Sequence, residues 1–273
     1  MRWGIAINLP RRIIMINLNT IIQGDCLEVM KKFDDNSIDL TITSPPYDNL
    51  RDYNGYTFDF KGIAKELFRV TKEGGFVVWV VGDATIKGSE TGTSFKQALY
   101  FKEIGFNLHD TMIWKKQTFT DTGSLRVRYG GVFEYMFVLS KGKPKTFNPI
   151  KDRKNKLPGK KKHGTVRQKD GSLKPISNIG KEIGEYGQRF NVWEINTEVS
   201  NTKRKHPAQF SEQLAEDHIK SWSNEGDILL DPMCGSGTTL KMAKKNNRNY
   251  IGIEISEEYC KIAKERLAQQ TLL

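Results

Sequence analysis

The sequence predicts an α/β fold, built as a doubly wound and mostly parallel sheet of the Rossmann-like kind. Short apolar segments typical of buried strands alternate along the chain with segments of helical periodicity, and this alternation is typical of parallel strands joined by helices. Two of the predicted strands run directly into sequences suited to ligand binding, at 43–47 and 231–239. A basic stretch at 145–205 interrupts the alternation and is predicted to be an insertion or a small second lobe.

The N-terminal part of the chain predicts five strands and three helices. The strands are expected at 20–25, 37–43, 76–83, 108–116 and 132–142, and the helices at 26–33, 63–70 and 94–106. Leu27, Met30 and Phe33 share one face of the first helix. Gly74 and Gly75 are expected to separate the second helix from the strand that follows.

The alternation resumes after the basic stretch. Helices are expected at 209–222, 240–246 and 256–270, and strands at 226–231 and 249–255. A glycine-rich turn at 232–239 joins the first of these strands to the second of these helices.

Composition excludes several classes of protein. No segment approaches the run of about 18 apolar residues that a membrane span requires, and the N-terminus lacks a secretory signal pattern. A cytoplasmic protein without a membrane partner is therefore expected. Met15 is a second candidate start, which would make 1–14 an N-terminal extension.

The cysteines and histidines predict neither a disulfide scaffold nor a metal site. Cys26, Cys234 and Cys260 form no CxxC pair, and the four histidines are scattered. The cysteines are expected to be inert packing residues.

The positive charge of the chain is concentrated in one stretch. Residues 151–205 contain 15 lysines and arginines against 6 acidic residues, a net of +9 out of +11 for the chain. Such a run is often a solvated surface loop, and it is also the electrostatic pattern of a surface that binds a polyanion. Both interpretations place the stretch outside the core.

Ser44-Pro45-Pro46-Tyr47 ends a predicted strand. Neither proline can donate a backbone hydrogen bond, so the strand must stop there, at the edge where α/β sheets bind ligands. The Ser44 hydroxyl and the Pro45 carbonyl are two hydrogen-bond acceptors, and Tyr47 adds a stacking surface. This set suits a planar group with an exocyclic amine, such as a nucleobase, although a simple proline turn explains the four residues equally well.

The turn after Asp231 predicts a nucleoside site without a pyrophosphate. Gly235, Ser236 and Gly237 allow close approach of a ligand to the backbone at a helix N-terminus, and Glu254 ends the next strand, where a carboxylate can accept from ribose hydroxyls. A dinucleotide fingerprint would need glycine at Leu240, and a phosphate-binding P-loop would need Gly-Lys before its Ser or Thr. The Asp231 carboxylate would favour a cationic ligand and repel a phosphate.

Together, TSPPY, DPMCGSGTT and GIE resemble the S-adenosylmethionine-dependent DNA amino-methyltransferases. Their order along the chain resembles the permuted β arrangement of that family, and the likeness spans most of the chain. It implies a methyltransferase domain at 15–144 and 206–273, and it places the family's target-recognition region at 145–205. The blocks at 113–116, 132–142 and 189–195 resemble further parts of the family pattern.

The resemblance also implies a role for each matching residue. The methionine part of S-adenosylmethionine would be held by Asp231, Pro232, Met233, Cys234, Gly235, Ser236, Gly237, Thr238 and Thr239. Glu254 would hold the ribose, Asp25 would meet the adenine amine, and His206 and Phe210 would close the pocket. The segment around His206 departs from the family pattern by carrying Ala208 and Phe210, and Met233 replaces the usual Phe.

The catalytic and DNA-binding roles follow from the same resemblance. Ser44, Pro45, Pro46 and Tyr47 would be catalytic, with Tyr47 stacking on a flipped-out base. The residues expected to contact double-stranded DNA are Arg51, Lys160, Lys161, Lys162, Arg167, Lys203 and Arg204. For Arg51, ordering of its own loop is an alternative role, and both interpretations stay open.

The target base is expected to be cytosine, methylated at N4. Family members with Ser before Pro-Pro are mostly cytosine-N4 enzymes, whereas Asp or Asn is usual in adenine-N6 enzymes, which are the alternative. Methylation at ring carbon C5 needs a cysteine nucleophile, which usually follows a proline in the enzymes of that kind. No cysteine follows a proline here, which argues against that chemistry. There are two further alternatives, an RNA or protein amino-methyltransferase and an inactive DNA-binding relative. The partners to test for are a cognate restriction endonuclease and a second copy of the chain in a homodimer.

Overall fold

A computed structural model describes residues 17–46, 58–117, 123–197 and 211–269. Within them the central sheet has eight strands. These strands are β1 (Thr20–Gln23), β2 (Ile38–Thr43), β3 (Thr71–Val81), β4 (Asn107–Lys115), β5 (Phe133–Ser140), β6 (Val192–Glu194), β7 (Ile228–Asp231) and β8 (Asn249–Glu254). Their order across the sheet is β1-β8-β7-β2-β3-β5-β4-β6. Neighbouring strands are parallel except where β5 pairs antiparallel with β3 and β4, so the predicted mostly parallel sheet is confirmed.

Helices cover both faces of the sheet, as a doubly wound fold requires. They are α1 (Cys26–Met30), α2 (Phe60–Val70), α3 (Thr93–Glu103), α4 (Glu212–Trp222), α5 (Thr238–Lys245) and α6 (Glu257–Ala268). Helices α1, α2 and α3 pack into one apolar cluster, and α4, α5 and α6 pack into the other. Of the helices in the described ranges, none is both long enough and apolar enough to cross a membrane.

Strand β3 shows why its sequence is apolar without interruption. Phe76, Val78 and Val80 point into one cluster, whereas Val77 and Trp79 point into the other. Successive side chains of a strand point to opposite faces, and here both faces are covered by helices. A central strand of such a sheet therefore needs apolar residues at every position.

Several element boundaries differ from the sequence prediction, and two of these differences concern α1 and β3. Helix α1 ends at Met30 rather than at 33, although Phe33 is still buried. Strand β3 begins at Thr71 and runs through Gly74 and Gly75, where the sequence predicts an interruption. A Cβ on Gly75 would lie 2.7 Å from the Asp39 carbonyl oxygen, so this glycine permits close approach of β2 rather than breaking the strand.

Most of the predicted insertion is a two-stranded antiparallel ribbon, here called the ribbon arm (residues 153–187). It contains the paired segments Arg153–Lys154 with Tyr186–Gly187, Thr165–Arg167 with Leu173–Pro175, and a bridge between Lys161 and Glu182. No residue of the fully described stretch 151–192 is buried. Strand β6 also lies within the predicted insertion, yet it pairs with β4 and completes the central sheet.

Arg189 links the root of the ribbon arm, where the arm joins the domain, to helix α4. Its guanidinium binds the carboxylates of Asp152 and Asp217, the latter on α4 at 2.6 Å, and lies over the Trp193 ring. The root is therefore held by a charged, hydrogen-bonded cluster, while the rest of the arm has no core of its own.

Candidate active site

Four of the predicted site residues lie at one edge of the sheet. Asp25 follows β1, Glu254 ends β8, Asp231 ends β7 and Ser44 follows β2. These strands are parallel neighbours in the order β1-β8-β7-β2, so their carboxyl ends meet at the same edge. This is the position at which open α/β sheets bind ligands.

Asp231 is a buried junction between two parts of the site. Its side chain accepts from the Thr43 hydroxyl at 3.0 Å, from the Met233 amide at 3.2 Å and from the Thr239 hydroxyl. Burial raises the pKa of the Asp231 carboxyl to about 6, although the hydroxyl and amide donors act to lower it. The carboxylate therefore joins β2, just before Ser44, to the turn after β7.

The glycine-rich loop (residues 232–239) is folded against the ends of β8 and α6. The Cys234 amide donates to the Ile253 carbonyl at 2.9 Å. Gly237 has φ of 79°, and a Cβ there would lie 2.9 Å from Ala263 Cβ, so both its backbone conformation and its packing require glycine. The buried residues of the loop are Pro232, Cys234, Ser236, Gly237, Thr238 and Thr239, and the half-buried ones are Met233 and Gly235.

Glu254 is held by backbone amides on both carboxylate oxygens. The Gly235 amide donates to Oε2 at 2.8 Å and the Ser256 amide donates to Oε1 at 2.9 Å. Only 9% of the residue is exposed. Each oxygen retains a second lone pair that can accept from a hydroxyl, so Glu254 is oriented for two further donors.

Asp25 also has a structural role that was not predicted from the sequence. It is the N-cap of α1, where its carboxylate accepts from the Glu28 amide at 3.0 Å. The residue is exposed at the end of β1, next to the end of β8. Its expected contact with an adenine amine stays a prediction.

Ser44, Pro45 and Pro46 follow β2 immediately, as the sequence predicts for residues that stop a strand. Pro45 is buried, and Ser44 and Pro46 are half-buried. The hydrogen bond from Thr43 to Asp231 fixes the end of β2 against β7. Ser44 therefore begins its segment from an anchored position beside the glycine-rich loop.

The donor and acceptor set fits S-adenosylmethionine. Asp231 and Glu254 place two acidic side chains around the loop, which suits a cationic sulfonium and a ribose with two hydroxyls. When bound, S-adenosylmethionine supplies an activated methyl group. Among the described residues, no group of three or more His, Cys, Asp or Glu side chains is arranged to hold a metal ion.

The cysteines and His218 are packing groups in this structure. Cys26, Cys234 and Cys260 are free and buried, and burial raises the pKa of the Cys26 thiol to about 12. Burial lowers the pKa of His218 to about 3, where Arg189 adds to the effect. A thiol and an imidazole that stay uncharged near neutral pH do not serve as nucleophile or proton carrier.

The DNA-binding predictions fall on three parts of the chain, and the structure describes one of them. Lys160, Lys161, Lys162 and Arg167 lie on the ribbon arm, and all but the half-buried Lys162 are exposed. Several predicted site residues lie outside the described ranges, namely Tyr47, Arg51, Lys203, Arg204, His206 and Phe210.

Two residues of the site were missed by sequence reasoning. Thr43 contacts Asp231, and Arg266 on α6 donates to Ser236 and Thr238 of the glycine-rich loop. Thr43 is the first residue of the TSPPY motif, but at the end of a predicted strand it resembles an ordinary strand residue. Arg266 lies in a charged helix whose sequence gives no sign of which arginine points inward.

Comparison with known proteins places this geometry in a family. The model of a DNA methylase family, N6_N4_Mtase, matches residues 38–265. The orphan methyltransferase M.BamHII of Bacillus amyloliquefaciens is 60% identical, with 92% of each chain covered. The Type II methyltransferase M.HpaI of Haemophilus parainfluenzae is 32% identical, covering 90% of this chain and 73% of the relative.

The chain is also similar to a DNA adenine methyltransferase and to a solved methyltransferase structure. The DNA adenine methyltransferase YhdJ of Escherichia coli is 30% identical, covering 91% of this chain and 82% of YhdJ. The crystal structure of M1.HpyAVI with S-adenosylmethionine has a TM-score of 0.63 at 26% identity, covering 91% of this chain and 98% of that one. These likenesses confirm the family and the cofactor that the motifs predict. The chain belongs to the N6/N4 DNA methylase family, and it is an S-adenosylmethionine-dependent DNA amino-methyltransferase.

Proposed function

We propose that this enzyme methylates the exocyclic N4 of cytosine in double-stranded DNA. The observation that carries the proposal is Ser44, which stands directly after β2 where adenine-N6 members of the family usually carry Asp or Asn. The second candidate is methylation of adenine at N6. It is favoured by the 30% identity to a relative described as a DNA adenine methyltransferase.

The proposed chemistry depends on how the amine is held. An exocyclic amine is a weak nucleophile because its lone pair is delocalised into the ring. The Ser44 hydroxyl and the Pro45 carbonyl accept its two hydrogens, which favours a pyramidal nitrogen with an available lone pair. Tyr47, two residues after Pro45, is proposed to stack on the base, which must leave the helix to be reached.

Neighbouring groups support Ser44 in this role. Thr43, one residue earlier, is tied to Asp231, which belongs to the strand leading into the cofactor loop. A fixed distance between the amine acceptors and the cofactor loop gives the alignment on which direct transfer depends. The proposed division of labour is therefore amine binding at 44–47 and cofactor binding at 231–239 and Glu254.

The ribbon arm is proposed to be the target-recognition element. A two-stranded ribbon has the dimensions to enter the major groove of B-form DNA. Its residues 153–187 contain ten lysines and arginines against three acidic residues, and none of them is buried. The positive charge suits phosphate contacts, and the exposed side chains near Arg167 suit contacts with base edges.

The partner predictions are open to direct measurement. The 60% identical relative is called an orphan methyltransferase, whereas M.HpaI is a Type II methyltransferase. The two names differ on whether the enzyme is solitary, and a cognate endonuclease stays a prediction. Light scattering of the purified protein with and without DNA tests the proposed homodimer.

The product identifies the target base. Unmethylated DNA of mixed sequence is incubated with the protein and S-adenosylmethionine, and its nucleosides are separated by mass spectrometry. N4-methylcytosine is expected. N6-methyladenine would instead establish the second candidate, and the absence of a methylated nucleoside from DNA, with product from RNA in parallel, would overturn both.

Two variants assign the roles within the site. Ser44→Ala is expected to lower the methylation rate by about a hundredfold while S-adenosylmethionine affinity by calorimetry stays near wild type. Glu254→Gln is expected to weaken that affinity instead. The control is Ser89→Ala, in the exposed hairpin that pairs Thr85–Ile86 with Ser89–Glu90, and it should change neither quantity. Equal loss of cofactor affinity in the Ser44 and Glu254 variants would contradict the division of labour.

A further inference from the structure

Arg266 on α6 reaches across to the glycine-rich loop. Its Nη1 donates to the Ser236 carbonyl at 2.9 Å, to the Ser236 hydroxyl at 2.9 Å and to the Thr238 hydroxyl at 3.1 Å. Its Nη2 lies 2.8 Å from Glu212 Oε1. Only 12% of the Arg266 side chain is exposed, so these contacts are largely shielded from water.

The loop needs such a support because of its own sequence. Ser236 lies between Gly235 with φ of 48° and Gly237 with φ of 79°, both in the left-handed region that glycine enters freely. Gly237 caps α5 without a side-chain hydrogen bond. Glycines on both sides give the Ser236 peptide many accessible orientations. The bond from Arg266 to the Ser236 carbonyl selects one of them, and the bonds to the Ser236 and Thr238 hydroxyls hold the guanidinium in place beside it.

Glu212 supplies the countercharge that keeps Arg266 in place. It begins α4 and also binds Lys241 on α5 at 2.6 Å. Burial opposes ionisation of Glu212, but Lys241 and Arg266 hold the pKa of its carboxyl below the usual value. Glu212 is therefore ionised at neutral pH. It offsets a positive charge next to the N-terminus of α5, where a cation alone is unfavourable.

We infer that Arg266 is a positioning residue for S-adenosylmethionine binding. Arg266 acts by holding the Ser236 peptide of the glycine-rich loop in the orientation that binds the cofactor. The planar guanidinium is essential to this role, because it presents several donors in fixed directions to the loop and to Glu212 at once. The inference rests on the cofactor and on the loop. It is independent of whether the methylated base is cytosine or adenine.

The test separates loop positioning from simple stabilisation. Arg266→Lys keeps the charge beside Glu212 but loses the forked set of donors. Glu212→Gln keeps an acceptor for Arg266 but removes the charge. Lys245→Gln is the matched control, because Lys245 also joins α5 to α4, through Glu216 at 3.1 Å, without touching the loop. Calorimetry gives the S-adenosylmethionine affinity, thermal unfolding gives stability, and steady-state kinetics gives the KM for each substrate.

Arg266→Lys is expected to raise the dissociation constant of S-adenosylmethionine by about tenfold, the effect of losing charged hydrogen bonds. Its KM for DNA and its rate at saturating cofactor should stay within about twofold of wild type. Glu212→Gln is expected to lower the melting temperature with a smaller change in cofactor affinity. Lys245→Gln should leave the affinity unchanged.

Three results would overturn the inference. One is an Arg266→Lys variant whose cofactor affinity equals that of wild type. Another is a loss of affinity in Glu212→Gln as large as in Arg266→Lys, because the ion pair alone would then explain the effect. The third is a parallel fall in melting temperature, DNA affinity and cofactor affinity in Arg266→Lys. Hydrogen exchange of the loop amides in the cofactor-free protein gives an independent reading, and exchange should rise in Arg266→Lys but not in Lys245→Gln.

Discussion

At the residue scale, Asp231 links the stability of the fold to its proposed role in cofactor binding. Only 5% of the residue is exposed, and burial raises the pKa of its carboxyl to about 6. At neutral pH the ionised carboxylate is retained in the interior, at a cost of about 3 kcal/mol relative to the unfolded chain. The donors from Thr43, Thr239 and Met233 reduce this cost without removing it. A buried negative charge of this kind is consistent with a site built for a cation.

The pH dependence of stability should reveal this cost. An aspartate in the unfolded chain loses its proton near pH 4, whereas folded Asp231 keeps it up to about pH 6. The stability contributed by this group therefore falls as the pH rises from about 4 to about 6 and stays lower above that range. As the pH rises from about 4 to about 6, the unfolding free energy of Asp231→Asn should therefore increase relative to that of wild type, as measured by denaturant unfolding.

The same variant should lose cofactor affinity while it gains relative stability. Asn cannot carry the negative charge that favours S-adenosylmethionine, so calorimetry at pH 7.5 should show weaker binding. A difference in unfolding free energy between variant and wild type that is constant from pH 4.5 to pH 7.5 would rule out titration of Asp231 as the cause.

At the element scale, the ribbon arm differs from every strand of the central sheet. An isolated two-stranded ribbon is at best marginally stable in water, and this arm has no buried residue over 153–187. Its two strands pair at three places, and its root is tied to α4 through Arg189 and Asp217. The arm therefore depends on the domain, whereas the domain takes little stability from the arm.

Shortening the arm should separate folding from DNA methylation. Because Lys154 lies opposite Tyr186, the residues between them can be replaced by an Asn-Gly turn that closes the two strands. The melting temperature and S-adenosylmethionine affinity of the shortened protein should match wild type. DNA binding in a gel-shift assay and methylation should be lost. Retained methylation with unchanged sequence preference would show that recognition lies elsewhere in the chain.

At the scale of the whole molecule, the two functional parts lie at different places along the sheet. The cofactor loop and Glu254 belong to β7 and β8, near the β1 edge, whereas the ribbon arm is inserted between β5 and β6, at the other edge. The charge follows the same division, since residues 151–205 carry +9 of the net +11. Ser44 follows β2, between these two parts. Under the proposed function, this arrangement places the acceptor site between the DNA-binding element and the cofactor.

The salt dependence of DNA binding tests whether the positive charges of the ribbon arm contact DNA phosphates. Lys160→Gln with Lys161→Gln removes two exposed positive charges from the arm. The slope of log affinity against log salt should become shallower by up to about 1.8, at about 0.9 for each phosphate that the variant no longer neutralises. Lys261→Gln with Lys264→Gln removes two exposed charges from α6 and should leave the slope unchanged. Equal slopes for both pairs would mean that the arm lysines are solvated surface residues.

Sequence reasoning located the elements well but some of their boundaries poorly. The apolar runs of β3 and β8 predict buried strands because a strand covered on both faces has no polar position. The extension of β3 through Gly74 and Gly75 was not predictable, since a glycine pair breaks some strands and allows close approach in others. The choice depends on where β2 lies, and the local sequence does not contain that position.

The sequence by itself determined the fold class and the two motifs, because strand periodicity, proline and glycine act locally on the backbone. The family followed from the resemblance of those motifs to a known pattern. Only the tertiary structure decided that Thr43 ties the strand before Ser44 to Asp231 and that Arg266 supports the glycine-rich loop. It also showed that residues 153–187 of the basic stretch form a ribbon without a core. These hydrogen bonds join residues far apart in the chain, such as Thr43 and Asp231, whose numbers differ by 188. Side-chain chemistry alone does not specify which distant partners meet, because that is set by the order and register of the strands that carry them.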